Sequence, residues 1–198
     1  MRGIVPLILI SIFLSIAYYL YNSRLEYEQY SIILDDYRQE RNDFLNNSSS
    51  SPLKGSGYKL SYYDPNVNFK VIAIVSENKN KDTITLATST GSIERFLDFA
   101  DLSFKLGRSK YSLPVYKYLQ GINNGDLFFC FLDKTNSTST YPGGRYIDIE
   151  FENAKRIELD FNKSYNPYCV YNEEYSCPIP SSENYIDMEI LAGEKLTK

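Results

Sequence analysis

The chain has no histidine and no tryptophan, and only two methionines and three cysteines in 198 residues. Without histidine, Ser-His-Asp and Cys-His catalysis within the chain are excluded, along with the commonest metal ligand and the side chain that switches charge near neutral pH. Three cysteines alone would leave a zinc shell to be completed by carboxylates, so no metal site is expected, and no cofactor motif is present. Positive charge is not in excess either: 21 Lys and Arg stand against 25 Asp and Glu, for a net charge of −4. The basic footprint that a phosphate backbone requires is missing, which excludes nucleic acid as a partner. No internal repeat is visible, so neither a solenoid nor a propeller is expected.

What is abundant is medium-sized aromatics, 19 Tyr and 11 Phe. They favour strands, where a ring packs on a pleated surface. The first twenty residues differ in kind. Ile4 to Tyr21 (IVPLILISIFLSIAYYLY) is an uncharged apolar run, and roughly eighteen such residues reach the lower limit for crossing a bilayer core of about 30 Å. Tyr18, Tyr19 and Tyr21 suit headgroup depth. Residues 1–22 are therefore expected to be a membrane anchor that contacts the lipid bilayer through residues 4–21, with a cleaved signal peptide as the alternative. The short basic start, apolar run and polar exit match an export signal, which places the following domain outside the cytoplasm.

Residues 23–45 carry apolar or aromatic side chains at Tyr30, Ile33, Leu34, Tyr37 and Phe44 between charged ones, a helical period that predicts an amphipathic juxtamembrane helix. The NNSSSSP stretch makes 46–53 a linker. From residue 54 to 198 the chain breaks into short β-branched and aromatic runs: 58–62, 69–75, 83–88, 93–99, 102–106, 111–119, 127–132, 145–151, 156–161 and 186–191. Turn residues separate them at Ser76–Lys81, Thr90-Gly91, Gly107-Arg108 and Asn123-Asn124-Gly125-Asp126. The expected fold is all-β, an antiparallel barrel or sandwich, preceded by a transmembrane helix and a juxtamembrane amphipathic helix.

Polar residues concentrate toward the C-terminus. After the Pro142-Gly143-Gly144 turn, strand alternation puts Tyr146 and Asp148 on one face and Arg145 and Ile147 on the other. Were this strand to pair with the next, Asp148 and Asp160 would approach one another as coupled carboxylates fit for acid/base work; the alternative is that strand-end Asp and Asn fix turns or pair with arginine. Asn166-Pro167 and Cys177-Pro178-Ile179-Pro180 restrict the backbone around a loop suited to a pocket wall. Cys169 and Cys177 within it are a candidate disulfide if the domain is exported. A reactive thiol there would be opposed by Glu173 and Glu174, and Cys130 reads as a buried apolar residue.

These C-terminal blocks resemble a bacterial and archaeal family, domain of unknown function 1684. The resemblance rests on Phe131-x-Asp133-x-Thr135, Thr140-Tyr141, Gly144-Arg145-Tyr146-x-Asp148, Leu159-Asp160-Phe161-Asn162, Tyr165-Asn166-Pro167-Tyr168-Cys169, Cys177-Pro178, Glu183-Asn184 and Ala192-Gly193-Glu194-Lys195. Ser137 and Ser139 depart from the Gly and Glu that the family carries before its Thr-Tyr pair. The resemblance implies export or membrane attachment and no particular activity.

The expected function is binding of a small-molecule or glycan ligand in a polar and aromatic pocket built by Asp133, Tyr141, Arg145, Tyr146, Asp160, Asn162, Tyr165, Asn166 and Glu183. Arg145 would meet an anionic group, the tyrosines would stack and the amides would orient the ligand. The alternatives are a hydrolase or transferase using Asp148, Asp160 or Glu183 as general acid/base, and a structural envelope component.

Overall fold

The computed structural model describes residues 4–119 and 125–196. Residues 1–40 and 41–198 form two compact units.

The described residues of the first unit are all helical. In place of the two expected helices there is a single one, α1 (Ile4–Asn47), of 44 residues. The reason is local: Asn22 to Leu25 contains neither proline nor glycine, and nothing else between the apolar and charged stretches breaks a helix. At 1.5 Å per residue α1 is about 66 Å long. Its apolar part presents Leu7, Phe13, Leu14, Tyr18 and Tyr19 to solvent. By length and composition it could cross a membrane.

The second unit starts with the last turns of α1 and continues into strands. These are β1 (Ser61–Tyr62), β2 (Lys70–Glu77), β3 (Thr83–Ala87), β4 (Ile93–Leu106), β5 (Ser109–Tyr118), β6 (Leu127–Asp133), β7 (Arg145–Ile149), β8 (Arg156–Asp160), β9 (Tyr185–Ile186) and β10 (Glu194–Lys195). The main sheet runs β7-β6-β5-β4-β2-β8, with β3 added on β4 and β9 on β6. It curls into an antiparallel half-barrel, neither closed nor a two-sheet sandwich. Its β6–β9 pair is parallel and two residues long. The runs expected at 93–99 and 102–106 fuse into β4, which absorbs the irregularity as a register shift between Asp98 and Ala100. The run expected at 186–191 forms a strand only at Tyr185–Ile186. The turn expected at Asn123 to Asp126 lies partly outside the described residues.

Strand β6 shows how the sequence makes two cores. Leu127, Phe129 and Phe131 point into the main core with Phe104, Ile147, Leu159 and Phe161, while Phe128 and Cys130 point the other way, to Phe96, Tyr116 and Tyr146. A strand buried on both faces loses the apolar/polar alternation, hence its nearly continuous apolar run. Each fully buried Phe contributes about 1.5 to 3 kcal/mol. The second core is the one that opens into a cleft.

An aromatic cleft with a carboxylate at its floor

Cross-strand pairing sets the floor of the cleft. Phe96 on β4 faces Tyr118 on β5, Tyr116 on β5 faces Phe128 on β6, and Phe128 faces Asp148 on β7. Two residues before Asp148, Tyr146 pairs through its backbone with Tyr165. That bridge brings the loop after β8 across the sheet, where Pro167, Tyr168, Tyr175, Ser176, Cys177 and Pro178 form a wall. Arg41 and Phe44, from the end of α1, line it as well. The cleft has a volume of about 440 Å³.

Asp148 accepts a hydrogen bond from the Tyr165 hydroxyl at 2.5 Å and a longer one from Tyr118 at 3.5 Å. Its carboxylate is open to solvent through the mouth of the cleft, yet protein surrounds it on the other sides. The resulting desolvation raises its pKa, against the lowering effects of the Tyr165 hydroxyl and the Arg41 charge. Glu94, half-buried on β4, is also raised by desolvation. The Tyr118 phenol is pushed well above its ordinary value by burial and then by the charges of Asp148 and Glu94, so it lies within the field of both. The Arg41 guanidinium sits 4.1 Å over the Tyr165 ring, and its Nε donates to Glu194 at 2.9 Å.

Of the residues expected to build a pocket, Tyr146 and Tyr165 line this cleft, together with Asp148, which was expected only as a candidate general acid or base. Others hold the fold. Arg145, fully buried, donates from Nη2 to Asp133 at 2.8 Å and to the Ile190 carbonyl at 2.9 Å, and from Nη1 to the carbonyls of Ala192 and Glu194. Asp133 in turn caps the Thr135 amide at 2.7 Å. A guanidinium enclosed in this way has no room for an anionic ligand. Asp160 accepts from the Asn162 backbone and side-chain amides, and Asn162 exchanges two hydrogen bonds of 2.9 Å with the backbone of Asn66. The Asn166 amide donates to Glu194 at 2.7 Å. Glu183 is exposed in a short 3-10 turn. Strands β7 and β8 do not pair with each other; β7 stands at one end of the strand order and β8 at the other, so pairing does not bring Asp148 and Asp160 together.

Tyr141 lines a second hollow with Cys169 and Tyr171. Cys169 and Cys177 lie side by side as thiols, with the Cys169 amide 3.2 Å from Cys177 Sγ. The neighbouring Cys177 thiol, helped by Ser89 and Tyr141 and opposed by burial, holds Cys169 down to about 6, while Cys177 itself is raised. Hydrogen bonding, not the charge of Glu173 and Glu174, sets the pair. Cys130 is fully buried and its thiol is pushed far up.

Sequence reasoning missed Arg41, Glu94, Tyr118 and Tyr175. For Glu94 a signal existed: Glu94 shares a face of β4 with Phe96, so a carboxylate stands beside an aromatic ring there. Arg41 carries no such mark.

The model of the family described as protein of unknown function (DUF1684) matches residues 58–195. The chain belongs to the DUF1684 family. Among solved structures, an uncharacterised protein of Haloarcula marismortui, determined by solution NMR, is 31% identical, with a TM-score of 0.68 over 85% of this chain and 95% of that one. A search of curated proteins found no match. In the DUF1684 chain described here, the matched segment supplies every lining residue of the cleft except Arg41 and Phe44.

Proposed function

We propose that this protein is a binding domain, held at a membrane by α1 with residues 41–198 outside the cytoplasm, that takes a small or extended ligand in the aromatic cleft. The observation that carries the reading is Asp148: a carboxylate kept at the floor of a cleft with seven aromatic side chains in its lining, against the cost of desolvating it. Two phenol hydroxyls directed at this carboxylate, with the Arg41 charge near it, hold it in a fixed place in the cleft, as a binding site requires. The apolar surface of Leu7 to Tyr21 supports the anchor, since water gives such a helix no partner.

The test is a thermal-shift screen of the full chain in a polyoxyethylene detergent against sugars, amines, amino acids and organic acids. Compounds that raise the melting temperature should lose that effect on Tyr168→Ala while far-UV circular dichroism is unchanged. Shifts that persist in both Tyr168→Ala and Asp148→Asn would place binding elsewhere.

A second reading, a carboxylate-dependent hydrolase or transferase, is favoured by the raised pKa of two carboxyl groups, Asp148 and Glu94, in one cleft. One would donate a proton while the other stays ionised. Recovery of the bound compound chemically unchanged after prolonged incubation would count against it.

A further inference from the structure

Three phenol hydroxyls of the cleft and one guanidinium nitrogen are already engaged. The Tyr165 hydroxyl donates to Asp148, the Tyr146 hydroxyl to the Pro178 carbonyl, and the Tyr175 hydroxyl to the Ser50 carbonyl at 2.9 Å. Arg41 directs its Nε to Glu194, a carboxylate with no exposed surface. A sugar, which must exchange many donors and acceptors with its site, would find few groups ready to answer it. An anionic ligand would meet Asp148 and Glu94, and the cation in the lining, Arg41, is already paired with Glu194.

What remains available is aromatic surface and negative charge. Among the described residues no cationic side chain pairs with Glu94. Of the rings that line the cleft, Tyr168 and Tyr175, both partly exposed, stand at 86° to one another. Rings set perpendicular form the walls of a box, and electron-rich aromatic walls attract an ammonium ion that has left water. Carboxylates held in the same partly desolvated space add a Coulomb attraction far stronger than they would exert in bulk solvent. An organic cation is also the ligand whose charge would offset the cost of keeping these two acids ionised.

We propose that the cleft binds an organic ammonium ion, of the methylated or quaternary kind, with its methyl groups against the aromatic walls and Asp148 and Glu94 as its counter-charges. This rests on the reading of the cleft as a ligand site and narrows it to a chemical class. The neutral polar class, sugars included, is the competitor.

The experiment is isothermal titration of the full chain in polyoxyethylene detergent, which offers neither sugar nor ammonium groups, with four probes. These are tetramethylammonium, choline, the neutral choline isostere 3,3-dimethylbutan-1-ol, and methyl β-glucoside. Choline is expected to bind at least about tenfold more tightly than its isostere. Glu94→Gln and Asp148→Asn should each weaken choline several-fold and leave the isostere unchanged, with folding checked by circular dichroism; should one variant fail to fold, the other carries the comparison. Equal or tighter binding of the isostere or the glucoside would overturn the ammonium assignment while sustaining the cleft as a ligand site. Failure of both ammonium probes would also overturn it, and the broader screen would then decide the cleft reading separately.

Discussion

Arg145 and Asp148 lie three residues apart on one short strand and have opposite lives. Alternation along β7 sends Arg145 into the main core, where two backbone carbonyls accept from Nη1 and a carboxylate and a third carbonyl accept from Nη2. Burial lowers the Arg145 pKa, and Asp133 opposes that by stabilising the cation. The sequence reading had the faces of β7 right: Tyr146 and Asp148 do share one and Arg145 and Ile147 the other. The partner of Arg145 was illegible, because the carbonyls that surround it come from residues 190, 192 and 194, which meet β7 only through the tertiary fold. Removing one member of a buried ion pair leaves the other charge uncompensated and costs about 3 to 5 kcal/mol. Arg145→Ala should therefore lower the urea midpoint drastically or prevent folding, and Arg145→Lys should recover little because one ammonium cannot reach all the carbonyls. A well-folded Arg145→Ala protein whose only loss is ligand binding would show that the arginine serves a site.

The excursion from Tyr168 to Pro178 is the element on which site and scaffold meet. Its far end is fastened to the strand β3 side of the sheet: the Ser89 amide donates to the Cys177 carbonyl at 2.9 Å and the Ile179 amide to the Ala87 carbonyl at 2.7 Å. Its near end is fixed by the Tyr146–Tyr165 bridge. Prolines announced an ordered excursion in the sequence, but its destination depends on strand order, which no local pattern encodes. The same strand order separates Asp148 from Asp160, whose proximity was a reasonable expectation had β7 and β8 been neighbours. Cys169 and Cys177 close this loop. With oxidised glutathione as acceptor, the Cys169 thiolate would attack, and Cys177 would displace glutathione to leave a disulfide and two reduced glutathiones. Closing so short a loop is worth about 2 to 3 kcal/mol in the chain-entropy account. The oxidised protein should melt several degrees higher than the reduced one, and Cys169→Ser should erase the difference. Mass spectrometry finding both thiols free after oxidation would refute the pairing.

At the scale of the whole molecule, the start of the folded domain decides which fragment can stand alone. The serine-rich stretch at 46–53 reads as a linker, which would let the domain begin at Lys54. Contacts within the 41–198 unit argue for an earlier start. Leu45 is fully buried and Leu53 nearly so. The Asn46 side chain donates to the Tyr58 carbonyl at 3.0 Å, the Gly55 amide donates to the Asn46 carbonyl at 2.8 Å, and the Leu60 amide donates to Asn42 Oδ1 at 3.3 Å. Most costly to lose is Arg41, because Glu194, with no exposed surface, accepts from it at 2.9 Å while also accepting from the Asn166 amide and the Tyr171 hydroxyl. Deleting Leu45 forfeits about 2 to 5 kcal/mol, and stranding the Glu194 charge about 3 to 5 kcal/mol more, together comparable with the entire stability of an ordinary domain. A fragment of residues 41–198 is thus expected to unfold in one cooperative transition, soluble without detergent because it lacks Leu7 to Tyr21, whereas residues 54–198 should aggregate or melt without cooperativity. Equal melting curves for the two fragments would mean that the last turns of α1 are dispensable. In that case Arg41 and Phe44 would be accessories to the cleft and not supports of the fold that forms it.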